Sequence, residues 1–264
     1  MNALKRNNVK VIGKGVKPML FAHGYGCDQN MWRFITPAFY DDYKIVLFDH
    51  IGFGNSDVLS YSKERYASLR DYATDVLEIC QELELQDVIY VGHSVSAMIG
   101  VLAAIQEPER FSKLILICPS PSFINDGDYV GGFTREAIDG LLQSLESDYL
   151  GWANTIAPVI MGNEDRPELS QELAGSFCKS HREIATDFAH LTFLSDNRQD
   201  LPQVKSDTLI LQCSEDAIAP VAVGEYVNKH IAGSKLVLLD ATGHCPNLSA
   251  PAATIAAIKS FLNN

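Results

Sequence analysis

The chain has 264 residues, 47 % hydrophobic and 20 % charged, with a formal net charge of −12. That balance suits a folded domain with a sizeable core and argues against disorder. The acidic surplus argues against nucleic acid as a partner, since phosphate binding needs clustered Lys and Arg. No apolar run approaches the roughly 20 residues that span a bilayer, so no membrane association is expected.

The opening MNALKRNNVKV has basic residues with no apolar stretch behind them, which does not read as a signal peptide. Six cysteines, at 27, 80, 118, 178, 213 and 245, show no C-x-x-C spacing and sit mostly among apolar residues. They read as reduced, buried thiols in a cytoplasmic protein, with neither disulfide nor metal.

In chain order, NVKVIGKG (8–15) is a weak first strand at a sheet edge, followed by PMLFAHG (18–24) and YKIVLFD (43–49). LRDYATDVLEICQELEL (69–85) places Leu69, Tyr72, Ala73, Val76, Leu77, Cys80 and Leu83 at helical spacing. DVIYVGH (87–93) is a strand, SVSAMIGVLAAIQEP (94–108) a helix stopped by Pro108, and KLILICP (113–119) another strand. After an interruption come strand DTLILQC (207–213), helix VAVGEYVNKHI (221–231), strand SKLVLLD (234–240) and helix PAATIAAIKSFL (251–262). The strands are Val-, Ile- and Leu-rich without strict alternation, the pattern of a mostly parallel sheet covered by helices on both faces. Alternating strands and helices predict a doubly wound α/β fold.

The interruption runs from about Pro121 to Asp200 and shows no convincing strand, only aromatics and helical stretches: FTREAIDGLLQSLES, YLGWANTIAPVIM, RPELSQELAGSFCKS and REIATDFAHLTFLSD. The expected organisation is therefore a core made of 1–120 and 200–264, with a helical lid, 121–199, inserted in it.

Ligands of open α/β sheets meet the crevice beyond the carboxyl ends of the strands. His23-Gly24-Tyr25-Gly26, Ser94, the pair Glu215 and Asp216, and finally Gly243-His244 all follow predicted strands. Nucleophile, acid and base thus lie in the order Ser…Asp…His, that of the α/β-hydrolase arrangement. Gly92-His93-Ser94-Val95-Ser96 departs from the G-x-S-x-G elbow only in its last residue, where Ser96 is small enough to be tolerated.

Of seven histidines, His181, His190 and His230 fall in helical stretches, His50 in a turn, and His23 and His93 beside the glycines of the two site loops. Only His244 follows both the acid and the last strand. Among Glu215, Asp216 and Asp240, Asp216 opens the turn DAIAP and is the preferred acid, accepting the Nδ1 proton of His244. Oxyanion donors are expected from the backbone N–H of Val95, after the nucleophile, and of Tyr25 in the HGYG loop.

These motifs resemble the α/β-hydrolases over the whole chain, and more closely the RsbQ group of bacterial stress regulators and the plant karrikin and strigolactone receptor hydrolases. The resemblance is carried by HGYGCDQNMW (23–32), LFDHIGFGNSD (47–57), VGHSVSAMIG (91–100), PSPSFIND (119–126), GGF (131–133), LGWA (150–153), FLSDNRQDL (193–201), LQCSEDAIAP (211–220) and GHCPNLSAP (243–251). It implies Ser94, Asp216 and His244 as a triad, Tyr25 and Val95 as the oxyanion hole, and a four-helix lid over a deep apolar pocket. Phe123, Phe133, Trp152, Phe177, Phe188 and Phe193 are then candidate pocket walls, with packing inside the lid as the alternative for each.

The expected function is a cofactor-free serine hydrolase of the carboxylic ester type, cleaving an ester or lactone of a small apolar molecule. An RsbQ-like regulator with a signalling phosphatase as partner overlaps with it. A ligand-binding module with an idle triad and a C–C bond hydrolase are the alternatives. Haloalkane dehalogenases and epoxide hydrolases are excluded, since both need aspartate where Ser94 stands.

Overall fold

A computed structural model describes residues 2–263. The elements are α1 (Ala3–Arg6), β1 (Lys10–Ile12), β2 (Lys17–Ala22), β3 (Tyr43–Leu47), α2 (Leu69–Glu82), β4 (Val88–His93), α3 (Val95–Gln106) and β5 (Phe111–Ile117). Then follow α4 (Arg135–Ser147), α5 (Tyr149–Met161), α6 (Pro167–Lys179), α7 (Arg182–Leu194), β6 (Asp207–Glu215), α8 (Val221–His230), β7 (Lys235–Thr242), α9 (Pro246–Ser249) and α10 (Pro251–Leu262).

Among the described residues seven strands form one sheet in the order β1-β3-β2-β4-β5-β6-β7. Only β1 runs antiparallel to its neighbour. All three residues of β1 are exposed, as an edge strand permits, whereas every residue of the central β4 is buried. This is the mostly parallel α/β sheet that the apolar runs predict. Helix α3 is buried almost all round, because it lies against both the sheet and α2.

The helix expected over 69–85 stops earlier, at Glu82. Glu84 takes a left-handed φ of 51°, and the Leu85 N–H bonds the Cys80 carbonyl, closing the end with a Schellman-type cap. Apolar periodicity continues past that cap, so it overstates the helix.

Between β5 and β6 stand α4 to α7, with α5 packed on α6 and α4 on both α5 and α7. The stretch before α4 is not helical: backbone bridges pair Ile124 with Phe133 and Asp126 with Tyr129. Among the described residues no helix is long and apolar enough to cross a membrane.

Candidate active site

Strand β4 delivers Ser94 to the carboxyl edge of the sheet, and α3 starts at the next residue. The reversal forces Ser94 to φ 57°, ψ −125°, a conformation that costs an L-residue about 1–3 kcal/mol. Its surroundings hold it there. The Ser94 N–H donates to the Ile117 carbonyl at 2.9 Å, extending the ladder into the turn. A Cβ on Gly92 would lie 2.4 Å from the Ser96 carbonyl oxygen, so glycine is required where strand and helix cross.

His244 follows β7 in a loop that turns at Gly243, φ 89°. Its Nε2 lies 2.8 Å from Ser94 Oγ and its Nδ1 2.7 Å from Asp216 Oδ2. Asp216 follows β6, and its other oxygen accepts the N–H groups of Ile218 at 2.8 Å and Ala219 at 3.0 Å. Burial pushes the Asp216 pKa up, but His244 and these amide hydrogens outweigh it and hold the carboxyl below its ordinary value. The competing acids point elsewhere: Glu215 is exposed and bonds Thr242 Oγ1, and Asp240 is exposed on β7.

The HGYG loop packs directly on the elbow, for a Cβ on Gly24 would meet Ser94 Cβ at 3.3 Å. Val95 is the first residue of α3, where no intrahelical acceptor exists for its N–H. Among the described residues neither the Val95 nor the Tyr25 amide donates to a protein acceptor.

Over Ser94 lies a cavity of about 40 Å³. Its walls include Tyr25, Phe123, Trp152, Phe177 and Phe193, and also Leu141, Ile156, Ile160, Leu173 and Ile218. Its polar groups are Ser94, His93, His244 and Thr192, and Cys27 and Cys245 add thiols. Thr192 spends its hydroxyl on the Phe188 carbonyl at 2.7 Å. No wall residue carries a full charge by type.

Two of the six expected aromatic walls stand outside this lining. Phe188 is fully buried and packs on Tyr72, ring centroids 4.3 Å apart, so it anchors α7 to the core. Phe133 is half-buried, its backbone paired with Phe123 and Asn125 in the loop before α4. The aliphatic walls were missed, although Trp152, Ile156 and Ile160 recur every four residues along α5, a stripe visible in the sequence.

The histidines do more than flank glycines. His93 donates from Nε2 to the His244 carbonyl at 2.7 Å. Burial, then the neighbouring His244, push its pKa down to about 3, so it stays neutral. Ser96 Oγ donates to the His23 carbonyl at 2.5 Å and lies 2.7 Å from His50 Nε2. The reading of Ser96 as merely tolerated therefore needs correction: its hydroxyl is bonded on both sides.

The cysteines are unpaired, with all but Cys178 buried. Cys118, Asp216 and His244 bring potential metal-ligating atoms within 4.8 Å of one another. The Asp216–His244 hydrogen bond already uses two of those groups, and burial lifts the Cys118 thiol well above its ordinary pKa, which makes a thiolate there costly.

The alpha/beta hydrolase fold family matches residues 17–251. The chain is 39 % identical over 246 residues to a karrikin insensitive 2 receptor of Petunia hybrida, covering 93 % of this chain and 91 % of that one. It is also 39 % identical over 252 residues to a strigolactone esterase of Arabidopsis thaliana, covering 95 % and 94 %. A solved hydrolase from Oleispira antarctica superposes with a TM-score of 0.96 at 42 % identity, covering 99 % of this chain and 96 % of that one. Similarity of this extent in both sequence and backbone makes the chain a member of the α/β-hydrolase family, related to the plant karrikin and strigolactone receptors.

Proposed function

We propose that the protein is a serine hydrolase that cleaves an ester or lactone of a small, neutral, apolar molecule. Esterase-type hydrolysis follows from the family; the residue roles and the substrate class are our reading. The observation that carries it is the unbroken chain Ser94–His244–Asp216, at 2.8 and 2.7 Å, opening on an apolar cavity.

In this reading Ser94 Oγ attacks the carbonyl carbon while His244 Nε2 takes its proton. Asp216 keeps the other ring proton on Nδ1 and stabilises the imidazolium that forms. The carbonyl oxygen becomes an oxyanion between the Val95 and Tyr25 amides, helped by the N-terminal dipole of α3. His244 returns the proton to the leaving alkoxide, and water then repeats the sequence on the acyl-serine. A charged substrate would lose its hydration against walls that offer it no partner. The test is fluorophosphonate labelling with peptide mapping, together with turnover of neutral esters and lactones. Labelling away from Ser94, or hydrolysis that survives Ser94→Ala, would overturn the assignment.

A regulatory use of the same site is favoured by the receptor-named relatives and by the small, mainly apolar cavity. In that role an occupied state must last long enough for a protein partner, such as a phosphatase, to read it. Turnover on short esters then falls well below the enzyme median of about 10 s⁻¹, and apolar ligands raise the melting temperature of Ser94→Ala. Fast hydrolysis of many esters without such stabilisation would leave a metabolic esterase.

A further inference from the structure

We infer that Ser96 is a positioning residue that ties together the two arms of the oxyanion hole, with His50 as its support. The inference rests on the hydrolase reading above and assigns a purpose to the one residue that departs from the elbow motif.

The two oxyanion donors come from separate parts of the chain. Val95 stands at the start of α3, and Tyr25 in the loop after β2. Their separation is fixed only if that loop is fastened to the helix. Ser96, in the first turn of α3, donates its hydroxyl to the His23 carbonyl. A hydroxyl has one proton, so its contact with His50 must run the other way: Nε2–H of His50 donates to Ser96 Oγ.

The loop side is braced in the same manner. His23 Nδ1 lies 2.8 Å from the Gly24 carbonyl oxygen and must donate to it, while the His50 backbone N–H donates to His23 Nε2 at 3.0 Å. The Gly24 carbonyl belongs to the same planar peptide as the Tyr25 N–H. Holding that carbonyl fixes the direction of the donor. Ser96, His23 and His50 are all fully buried, so water does not substitute for a missing partner at no cost. A glycine at 96 would preserve the elbow's sterics and lose both bonds.

The test compares full-length wild type, Ser96→Ala and Ser96→Gly on a short p-nitrophenyl ester, with rates expressed per site titrated by fluorophosphonate. Melting curves ensure that each is assayed below its transition. We expect kcat to fall about 10- to 100-fold in both variants, less than or near the loss of a whole donor, with KM within about threefold. The inhibition constant of a short alkyl boronic acid, whose Ser94 adduct carries a negative oxygen, should weaken by a similar factor. A merely structural serine would lower the melting temperature and leave these ratios alone. If wild type labels at Ser94 and turns over while both variants match its kcat, or if the loss falls on KM, the positioning role is overturned and the hydrolase reading stands. If wild type neither labels nor turns over, the hydrolase reading falls and this one with it.

Discussion

His93 Nε2 sits 2.7 Å from the carbonyl oxygen of His244, so the residue before Ser94 holds the loop that carries His244. Ser94 and His244 are thereby referenced to the same strand end. His93→Phe keeps a ring but removes the donor. We expect kcat to drop by roughly tenfold to a hundredfold with little change in KM, because small misplacements of a catalytic group are costly. His93→Gln, which retains a donor, should recover part of the rate. Equal kcat in wild type and His93→Phe would remove His93 from this role.

The same residue should make the fold sensitive to mild acid. Burial lowers the pKa of His93 to about 3, and it also lowers His23 and, more strongly, His50. In the unfolded chain these rings titrate near about 6.5. Below that pH the unfolded state binds protons that the native state refuses. Stability present above pH ~6.5 is therefore lost progressively as the pH falls toward ~3. His93→Gln should show a shallower fall in melting temperature between pH 7 and 5. Parallel curves would contradict the assignment.

Ser94→Ala should abolish fluorophosphonate labelling and reduce turnover by about 10⁶-fold, leaving binding and oxyanion contributions. The protein should still melt cooperatively, and relief of the strained backbone is not expected, since alanine meets the same φ restriction.

Asp216→Asn should lower kcat by about 10⁴-fold without loss of fold, as asparagine favours the wrong tautomer of His244. Asp240→Asn, at an exposed position on β7, should be silent. The opposite ranking in steady-state assays would show that the acid is misassigned.

Phe188 and Phe193 separate packing from pocket. Phe188→Ala should cost about 3–5 kcal/mol and lower the melting temperature on the order of 10 °C, because it empties the core beside Tyr72. Phe193→Ala enlarges the cavity wall and should shift ester preference toward bulkier acyl groups. If both variants change only stability, the cavity over Ser94 is not the substrate site.

Strands and elbow were legible because each rests on local pattern: apolar runs for β2 to β7, and a glycine two residues before a serine at a strand end. The end of α2 was not, since a left-handed Glu84 can follow a periodic stripe without breaking it. Ser96 was legible in size alone. Its partners lie 73 and 46 residues away, a distance that local pattern does not reach. Phenylalanine likewise signals burial without direction: Phe188 and Phe193, on the same helix, share Tyr25 but otherwise face Tyr72 and Phe123 respectively.

The loop bearing His244 has a second tether. Its backbone N–H donates to the Ile160 carbonyl at 2.7 Å, and Asn163 Nδ2 donates to the Thr242 carbonyl at 2.8 Å, both at the end of α5. Ile160 is also a cavity wall. One helix end thus touches the cavity with its side chain and His244 with its main chain. A ligand that pushed on the Ile160 side chain would therefore push on the main chain to which His244 is bonded. The wall of the cavity and the seat of His244 are thus set by the same turn of α5.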